Sequence, residues 1–245
     1  MKWLKSHKWE TSIILTIIVL VFVITVIISV QHYQEQKKLN HYKSEIAHTP
    51  VMGSKDAEDT ISVYGDFSCP YCRDFELDTL TILKESYVDT DKTKIHFINV
   101  GLLGDDSLYK SVASYSLYQH DKDKYWAFHR QLLENQHKEN QHKTTINNTS
   151  NQRNISQKEA ESVINHAKEK EQVNQMLKDV GVSSKDIKQI KEDINNHKSS
   201  AWKNAIKDRN LANKHQIKRV PTVCINGEKL SSANDLSVYR EYLGR

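Results

Sequence analysis

The longest apolar run of the chain lies close to its N-terminus. Residues 11–30 contain no charged side chain, and about twenty such residues are enough for a helix to cross the hydrocarbon core of a bilayer. Trp3 and Trp9 precede the run, where an aromatic belt is expected. The run is longer than the apolar region of a signal peptide, and no small-x-small cleavage site follows it. The pattern therefore predicts an uncleaved transmembrane signal anchor at 11–30.

The lysines on the two sides of this run almost balance, so the positive-inside rule alone does not decide its orientation. We favour a cytoplasmic tail at 1–10, because that segment is short and basic apart from Glu10. The large domain then lies outside the cytoplasm, and a cytoplasmic domain is the alternative. The lysines that almost balance are Lys2, Lys5 and Lys8 before the apolar run and Lys37, Lys38 and Lys43 after it. Residues 31–58, which follow the run, are interpreted as a polar spacer.

The next two apolar segments differ in the spacing of their hydrophobic side chains. Apolar and β-branched side chains dominate residues 60–66, which predicts a buried strand. Over residues 75–83 the apolar side chains recur at helical spacing. Cys69 and Cys72 lie between these two segments. The sequence therefore predicts a strand, a turn and a helix, with a Cys-x-x-Cys motif at the start of the helix.

A second strand is predicted at residues 94–100, and a strand–helix–strand unit of this length implies a parallel pair. Helical periodicity follows, interrupted at residues 134–154 by a polar, low-complexity segment that we interpret as a solvated loop. Ser156 and Glu159 occupy capping-box positions at the start of a later helix. The helices expected in this region cover about 108–132, 156–179, a segment capped by Ser183 or Ser184, and 199–214.

The chain returns to strand structure near its C-terminus. Residues 221–225 and 228–230 flank Asn226-Gly227, a dipeptide typical of a hairpin turn. A last helix is expected at about 234–243. Strands at both ends with helices between them predict an α/β fold with a helical insertion at about 104–214.

Composition narrows the class of protein. The chain has 245 residues, a formal charge of +4 and three cysteines. Three cysteines are too few for a scaffold stapled by disulfides. Basic side chains are interspersed with acidic ones, without a basic stripe, which argues against nucleic-acid binding. Beyond the anchor, about 190 residues are enough to build one hydrophobic core.

The position of the Cys-x-x-Cys motif predicts its chemistry. The first turn of a helix has unpaired backbone N–H groups and the positive end of the helix dipole, and both stabilise a thiolate. Cys69 is the candidate nucleophile, because a lowered thiol pKa makes the attacking species available. Pro70 suits the first helical position, where its missing N–H has no partner to lose. Cys72, one turn deeper, is the candidate resolving thiol that displaces a partner from a mixed disulfide.

Two other uses of a Cys-x-x-Cys motif fit less well. A structural zinc site needs four ligands, and the sequence adds only Cys224 and no second Cys-x-x-Cys. An inert disulfide between Cys69 and Cys72 would close too short a loop to constrain the unfolded chain. His137 and His142 lie in the polar segment without further ligands nearby, so no metal site is expected.

Three separated features resemble the DsbA family of thiol-disulfide oxidoreductases, whose thioredoxin fold is interrupted by a helical domain. Residues 64–76 are similar to its Asp-Phe-x-Cys-Pro-x-Cys-x-x-Phe-Glu pattern, and residues 125–133 to its Phe-Trp-x-x-His-x-x-Leu pattern. Val220-Pro221 is similar to the family's cis-proline segment. The resemblance covers residues 59–245 and is nearest to the membrane-anchored, BdbD-like branch of Gram-positive bacteria.

The resemblance implies roles for particular residues. Pro221 would be cis and lie opposite Cys69, and the Val220 backbone would pair with an extended substrate; a trans proline that merely starts a strand is the alternative. Glu76 would be a buried acid that accepts the proton of Cys72, whereas a solvated helical glutamate is the alternative. The other substrate-binding residues would be Pro70 and Tyr71. No cofactor is implied beyond the Cys69–Cys72 disulfide.

The sequence also departs from the family pattern. Tyr71 stands where many members have histidine between the cysteines, and it adds no positive charge, so we expect a milder oxidant. Cys224 is an additional cysteine in a predicted strand, and a small buried hydrophobic role is expected for it. A third redox thiol is the alternative.

The leading functional prediction is a monomeric, extracytoplasmic enzyme that introduces disulfide bonds into reduced exported proteins. By resemblance, a quinone-linked membrane protein of the DsbB type would re-oxidise it. A membrane-anchored reductase or isomerase of the same fold is one alternative, and a non-catalytic partner-binding module is another.

Overall fold

The computed structural model describes residues 8–136 and 167–244. The chain divides into two compact units, Met1–Ser44 and Glu45–Arg245. The helices are α1 (Lys8–Ile46), α2 (70–88), α3 (Asp105–His120), α4 (Lys122–Glu134), α5 (Ala167–Asp179), α6 (Ser184–Asn195), α7 (Ser200–Lys214) and α8 (Leu236–Leu243). The strands are β1 (Val51–Met52), β2 (Asp59–Gly65), β3 (Thr93–Asn99), β4 (Thr222–Ile225) and β5 (Glu228–Lys229).

Helix α1 contains the apolar run at 11–30. Within the described part of the chain it is the one helix long and apolar enough to cross a membrane. Its large apolar side chains from Ile13 to Val30 are exposed. An apolar surface of this extent marks a membrane or protein contact, so the helix is compatible with the predicted anchor.

The segment interpreted as a polar spacer is more structured than expected. Helix α1 continues to Ile46, and Val51–Met52 form strand β1 of the sheet. β1 pairs antiparallel with β3, through Val51 with His96 and Met52 with Ile95. The sheet therefore begins before residue 59, and a strand of two residues is too short to show any periodicity in the sequence.

The five strands form one sheet in the order β1-β3-β2-β4-β5. β2 and β3 are parallel, as predicted, from the pair Asp59–Thr93 to the pair Gly65–Asn99. β4 runs antiparallel to β2 on its other side. β2 is therefore a central strand, and its side chains are buried from Thr60 onwards. This burial explains the almost continuous apolar and β-branched character of the strand that leads to the cysteines.

Helix α2 is continuous but irregular. Its Pro70–Asp74 and Thr81–Leu83 segments are α-helical, whereas Phe75–Leu80 and Lys84–Val88 are π-helical. π-helical turns inside α-helices are uncommon and frequent at functional sites. The sequence predicted the helix and gave no indication of these turns.

Five described helices, α3 to α7, lie between β3 and β4 and form the predicted insertion. α3 packs against α4, α6 and α7. Ser183 accepts a hydrogen bond from the Asp186 N–H and caps α6, as predicted. Ser199 accepts one from the Trp202 N–H and caps α7, whose extent was predicted but whose cap was not. Residues 137–154 and the capping box at Ser156 and Glu159 lie outside the described residues.

The C-terminal hairpin confirms its turn signal. Asn226 and Gly227 have φ values of 51° and 88°, the left-handed conformation that a two-residue turn of this type requires. β4 and β5 pair through Cys224 with Lys229 and Ile225 with Glu228. The last helix, α8, starts later than expected, because Asp235 caps it through the backbone N–H of Ser237.

Candidate active site

The end of β2 and the first turn of α2 position the two cysteines. Cys69 is the N-cap of α2, with an extended backbone at φ −93° and ψ 117°, and Pro70 follows at the start of the helix. The Cys69 N–H donates to the Asp66 carbonyl at 3.1 Å, and the Cys72 N–H donates to the Cys69 carbonyl at 3.0 Å. The predicted strand–turn–helix is therefore confirmed, with the first cysteine at the helix N-terminus.

The loop before β4 faces the first cysteine. The Val220–Pro221 peptide bond is cis, as expected. The Cys69 thiol donates to the carbonyl of Val220, with 3.6 Å between sulfur and oxygen. Val220 and Cys69 are both buried. The structure thus brings Cys69 together with Val220 and Pro221, although Cys69 and Val220 are 151 residues apart in sequence.

The two thiols differ in acidity in the way the predicted roles require. A hydrogen bond from the Cys72 thiol lowers the pKa of Cys69, helped by the backbone N–H groups of Cys72 and Tyr71 and opposed by burial and by Asp66. Burial raises the pKa of Cys72 well above its ordinary value, and the neighbouring Cys69 adds to that rise. Cys69 is therefore the better thiolate, and Cys72 holds its proton. The lowered pKa of Cys69 agrees with the sequence prediction. Its largest cause, however, is the neighbouring Cys72 thiol, whereas the prediction relied on the helix N-terminus.

Glu76 is buried, which contradicts the alternative of a solvated glutamate. It lies one turn beyond Cys72, and its Oε2 is 3.0 Å from Nε2 of His129 on α4. The imidazole of His129 is fully buried, and its Nδ1 has no hydrogen-bond partner among the described residues. The rings of Phe97 and Phe67 pack against it with centroid distances of 4.3 and 5.3 Å. An acid and an imidazole therefore share a buried compartment beside α2.

Two further residues of the site were not identified from the sequence as functional. Asp66 is buried directly after β2 and accepts hydrogen bonds from backbone donors and from the Ser107 hydroxyl. Gln136 donates its amide to the carbonyls of Phe67 and Cys69, at 3.0 and 3.1 Å. It falls in the segment predicted as a solvated loop, and this part of the prediction is wrong. A long-range contact from a polar segment leaves no periodic signal.

The other residues singled out from the sequence differ in their exposure to solvent. Tyr71 is 44% exposed, and Pro70 is half-buried. Cys224 is buried on β4, as expected for a small hydrophobic residue. No group of three or more metal-ligating side chains occurs within residues 8–136 and 167–244. The described site consists of the two thiols and their polar neighbours Asp66, Glu76 and Gln136.

Comparison with known proteins identifies the family. A protein-family model described as "Thioredoxin" matches residues 45–244. "Probable disulfide bond formation protein D" of Bacillus cereus is 28% identical over 225 residues, which cover 91% of each chain. "Disulfide bond formation protein D" of Bacillus subtilis is 34% identical over 87 residues, which cover 36% of this chain and 39% of the relative.

Two solved structures share the fold. BdbD from Bacillus subtilis in its oxidised form has a TM-score of 0.65 and 24% identity, and the match covers 81% of this chain and 92% of that chain. The thiol-disulfide exchange protein α-DsbA2 from Wolbachia pipientis has a TM-score of 0.61 and 19% identity, with 87% and 96% covered. The predicted thioredoxin fold with a helical insertion is confirmed. From its fold, its thiol pair and these relatives, we conclude that the chain belongs to the thioredoxin family, among the relatives of the Bacillus disulfide bond formation proteins D.

Proposed function

We propose that this protein is a thiol-disulfide oxidoreductase that introduces disulfide bonds into exported proteins through Cys69 and Cys72. The observation that carries the proposal is the position of Cys69 as the N-cap of α2, with Cys72 buried one turn deeper. This arrangement lowers the pKa of Cys69 and raises that of Cys72. An acidic first thiol stabilises the reduced form and makes the disulfide a better oxidant. The names of the Bacillus relatives also support this activity.

The reaction is two successive thiol–disulfide exchanges. A substrate thiolate attacks the Cys69 sulfur of the Cys69–Cys72 disulfide, forms a mixed disulfide and expels Cys72 as the thiolate. A second substrate thiolate then attacks the substrate sulfur of that mixed disulfide and expels Cys69. The substrate loses two electrons to the pair, and the protein is left as the dithiol. Because Cys69 is buried, the first exchange requires the site to open to the substrate.

The surrounding residues are assigned supporting roles. Glu76 accepts the proton of Cys72 whenever that thiol attacks a mixed disulfide at Cys69. Its burial and its contact with His129 support this role. The Val220 backbone binds an extended segment of the substrate beside Cys69, and the exposed Tyr71 and half-buried Pro70 form the rim. Pro221 holds the Val220 carbonyl toward Cys69.

The place of action follows from α1 and from the predicted orientation. We propose that residues 11–30 anchor the chain in the membrane, with a cytoplasmic tail at 1–10 and the catalytic domain outside the cytoplasm. The exposed apolar surface of α1 supports an anchor. The Cys69–Cys72 disulfide is then the sole redox group the reaction uses, and a membrane thiol oxidase, of the quinone-linked DsbB type by resemblance, returns it to the oxidised state.

The reduction potential of the pair tests the direction of the reaction. The full-length protein in detergent is equilibrated with glutathione buffers, and the fraction of disulfide is measured by thiol trapping. A value toward the DsbA end of the range, roughly −120 mV, supports the oxidase. A value near that of thioredoxin, roughly −270 mV, would instead make the protein a reductase.

A trapping experiment identifies the nucleophile and the substrates. The Cys72→Ser variant retains Cys69 and lacks the resolving thiol, so mixed disulfides with exported proteins accumulate. Cys224→Ser is the matched control, because Cys224 is also buried but lies on β4. Equal trapping by both variants, or full cellular function of a Cys69→Ser protein, would favour a non-catalytic binding module.

A further inference from the structure

Asp66 lies directly before the active-site turn and is completely buried. Its Oδ1 accepts from the Ser68 N–H at 2.9 Å and from the Ser107 hydroxyl at 2.5 Å. Its Oδ2 accepts from the N–H groups of Leu102 and Leu103, at 2.8 and 3.2 Å. One carboxyl group thus connects the cysteine turn with the loop after β3 and the first turn of α3.

This arrangement fits the ionised form of Asp66. Three of its four partners are backbone N–H groups, which only donate and therefore match an acceptor-only carboxylate. A carboxylate that accepts several such bonds is stabilised against protonation. Burial acts in the opposite direction and raises the pKa of Asp66. The four hydrogen bonds are the reason that a buried charge can be held at this position.

The backbone of the same residue contacts both cysteines. The Asp66 N–H donates to the Cys72 sulfur at 3.4 Å, and the Asp66 carbonyl accepts from the Cys69 N–H at 3.1 Å. The carboxylate is therefore held within the turn that carries the two thiols. Its charge raises the pKa of Cys69 and also that of Cys72. A fixed negative charge in a buried site acts more strongly on a neighbouring thiolate than it would in water.

We propose that Asp66 is a positioning residue that holds a negative charge behind the redox pair and limits how strongly Cys69–Cys72 oxidises its substrates. The mechanism described above uses Cys69, Cys72 and Glu76, and Asp66 adds the control of oxidising strength. Because its charge disfavours the Cys69 thiolate, it disfavours the reduced form of the pair. The inference rests on the proposed function, since it assumes that Cys69 and Cys72 form the redox pair.

The equilibrium with glutathione measures this effect. The protein dithiol and one glutathione disulfide give the protein disulfide and two molecules of glutathione, so two electrons pass from the protein to glutathione. We expect Asp66→Asn to shift this equilibrium toward the protein dithiol by about tenfold, which corresponds to about 30 mV toward a stronger oxidant. Asn keeps the size of the side chain and one acceptor oxygen while removing the charge.

A matched control separates charge at this position from charge elsewhere. Asp193 accepts from Ser116 and His120 on α3, away from the cysteine turn, and Asp193→Asn should leave the equilibrium unchanged. The ultraviolet absorbance of the Cys69 thiolate is followed against pH in both variants. In Asp66→Asn its midpoint should fall to lower pH, whereas a purely structural loosening would not lower it. An unchanged or higher midpoint overturns the inference.

A second measurement needs no substitution and covers the case in which Asp66→Asn does not fold. Coupling between two sites is reciprocal, so a thiolate at Cys69 must make Asp66 harder to ionise. The side-chain carboxyl carbon of Asp66 is followed by NMR in the full-length oxidised and reduced protein. We expect the reduced protein to show a higher Asp66 midpoint or, where Asp66 ionises first, a second inflection at the pH at which Cys69 ionises, which the oxidised protein lacks. Identical titration curves in the two states overturn the inference. If Cys69 and Cys72 fail to exchange with glutathione at all, the proposed function fails instead.

Discussion

Oε2 of Glu76 on α2 and Nε2 of His129 on α4 lie 3.0 Å apart inside a compartment lined by aromatic rings. The opposite ring nitrogen, Nδ1, has no partner among the described residues. A neutral imidazole that donates through Nε2 leaves only an acceptor unpaired, which is less costly than a buried N–H without a partner. The contact therefore orients the carboxylate of Glu76. It also joins α4 of the helical insertion to α2, the helix that carries the cysteines.

The role of Glu76 predicts a specific kinetic defect. When the reduced protein attacks glutathione disulfide, Cys69 forms a mixed disulfide and Cys72 must lose its proton to release it. Glu76→Gln removes the proton acceptor, so we expect this second step to slow by about 10²-fold. The first step should keep its rate. Rapid acid quenching and mass spectrometry of the mixed disulfide measure the two steps separately.

The control for this variant is Glu85→Gln, because Glu85 is an exposed acid on the same helix. It should leave both steps unchanged. Equal rates of mixed-disulfide release in Glu76→Gln and the unmodified protein would contradict the role of Glu76 as the base.

The lowered pKa of Cys69 predicts the pH dependence of its alkylation. The thiolate is the reactive species, so the rate with iodoacetamide should rise through a midpoint below the ordinary thiol value of about 8.5. Cys72, whose pKa is raised by burial, should stay unreactive over the same range. Peptide mapping of alkylated protein assigns the rate to each cysteine. A midpoint for Cys69 at or above the ordinary value would contradict the lowered pKa of its thiol.

The same shifts predict how the stability of the reduced protein changes with pH. Between the lowered pKa of folded Cys69 and the ordinary thiol value, the unfolded chain binds more protons, so the Cys69 contribution to the free energy of unfolding increases with pH. That contribution is lost as pH falls through the folded pKa of Cys69. Above the ordinary thiol value, folded Cys72 keeps a proton that the unfolded chain loses. The Cys72 contribution to the free energy of unfolding therefore decreases as pH rises. The free energy of unfolding in urea is measured for the reduced protein and for Cys69→Ser. The difference between them isolates the Cys69 contribution, which should disappear in acid.

The sequence predicted the elements that bear the cysteines because the local signals agree there. A change from strand to helical period, a proline at the first helical position and an Asn-Gly turn each act within a few residues. The contacts that complete the site join distant segments instead. Glu76 and His129 are 53 residues apart, and Asp208 is 160 residues from His48. Such pairs depend on how the insertion docks on the sheet, which periodicity does not encode.

Asp208 is the centre of a second buried network, which predicts a loss of stability away from the redox pair. It accepts from the Tyr115 hydroxyl at 2.6 Å and from the Asn99 N–H at 2.9 Å, and it pairs with His48. Tyr115→Phe removes a hydrogen bond to a buried charged group, so the free energy of unfolding should fall by about 1.5–3 kcal/mol. Urea unfolding measures this. Tyr87→Phe, on the half-buried Tyr87, should change it by less than about 0.5 kcal/mol.

Gln136 provides a test of how the end of α4 supports the cysteine turn. Its amide donates to the carbonyls of Phe67 and Cys69, and each neutral hydrogen bond contributes about 0.5–1.5 kcal/mol. Gln136→Ala should therefore lower the free energy of unfolding by about 1–2 kcal/mol and increase hydrogen exchange at the start of α2. Gln175→Ala is the control, because Gln175 is exposed and donates to Asp179 on its own helix. Equal effects of the two variants would mean that the turn is held without Gln136.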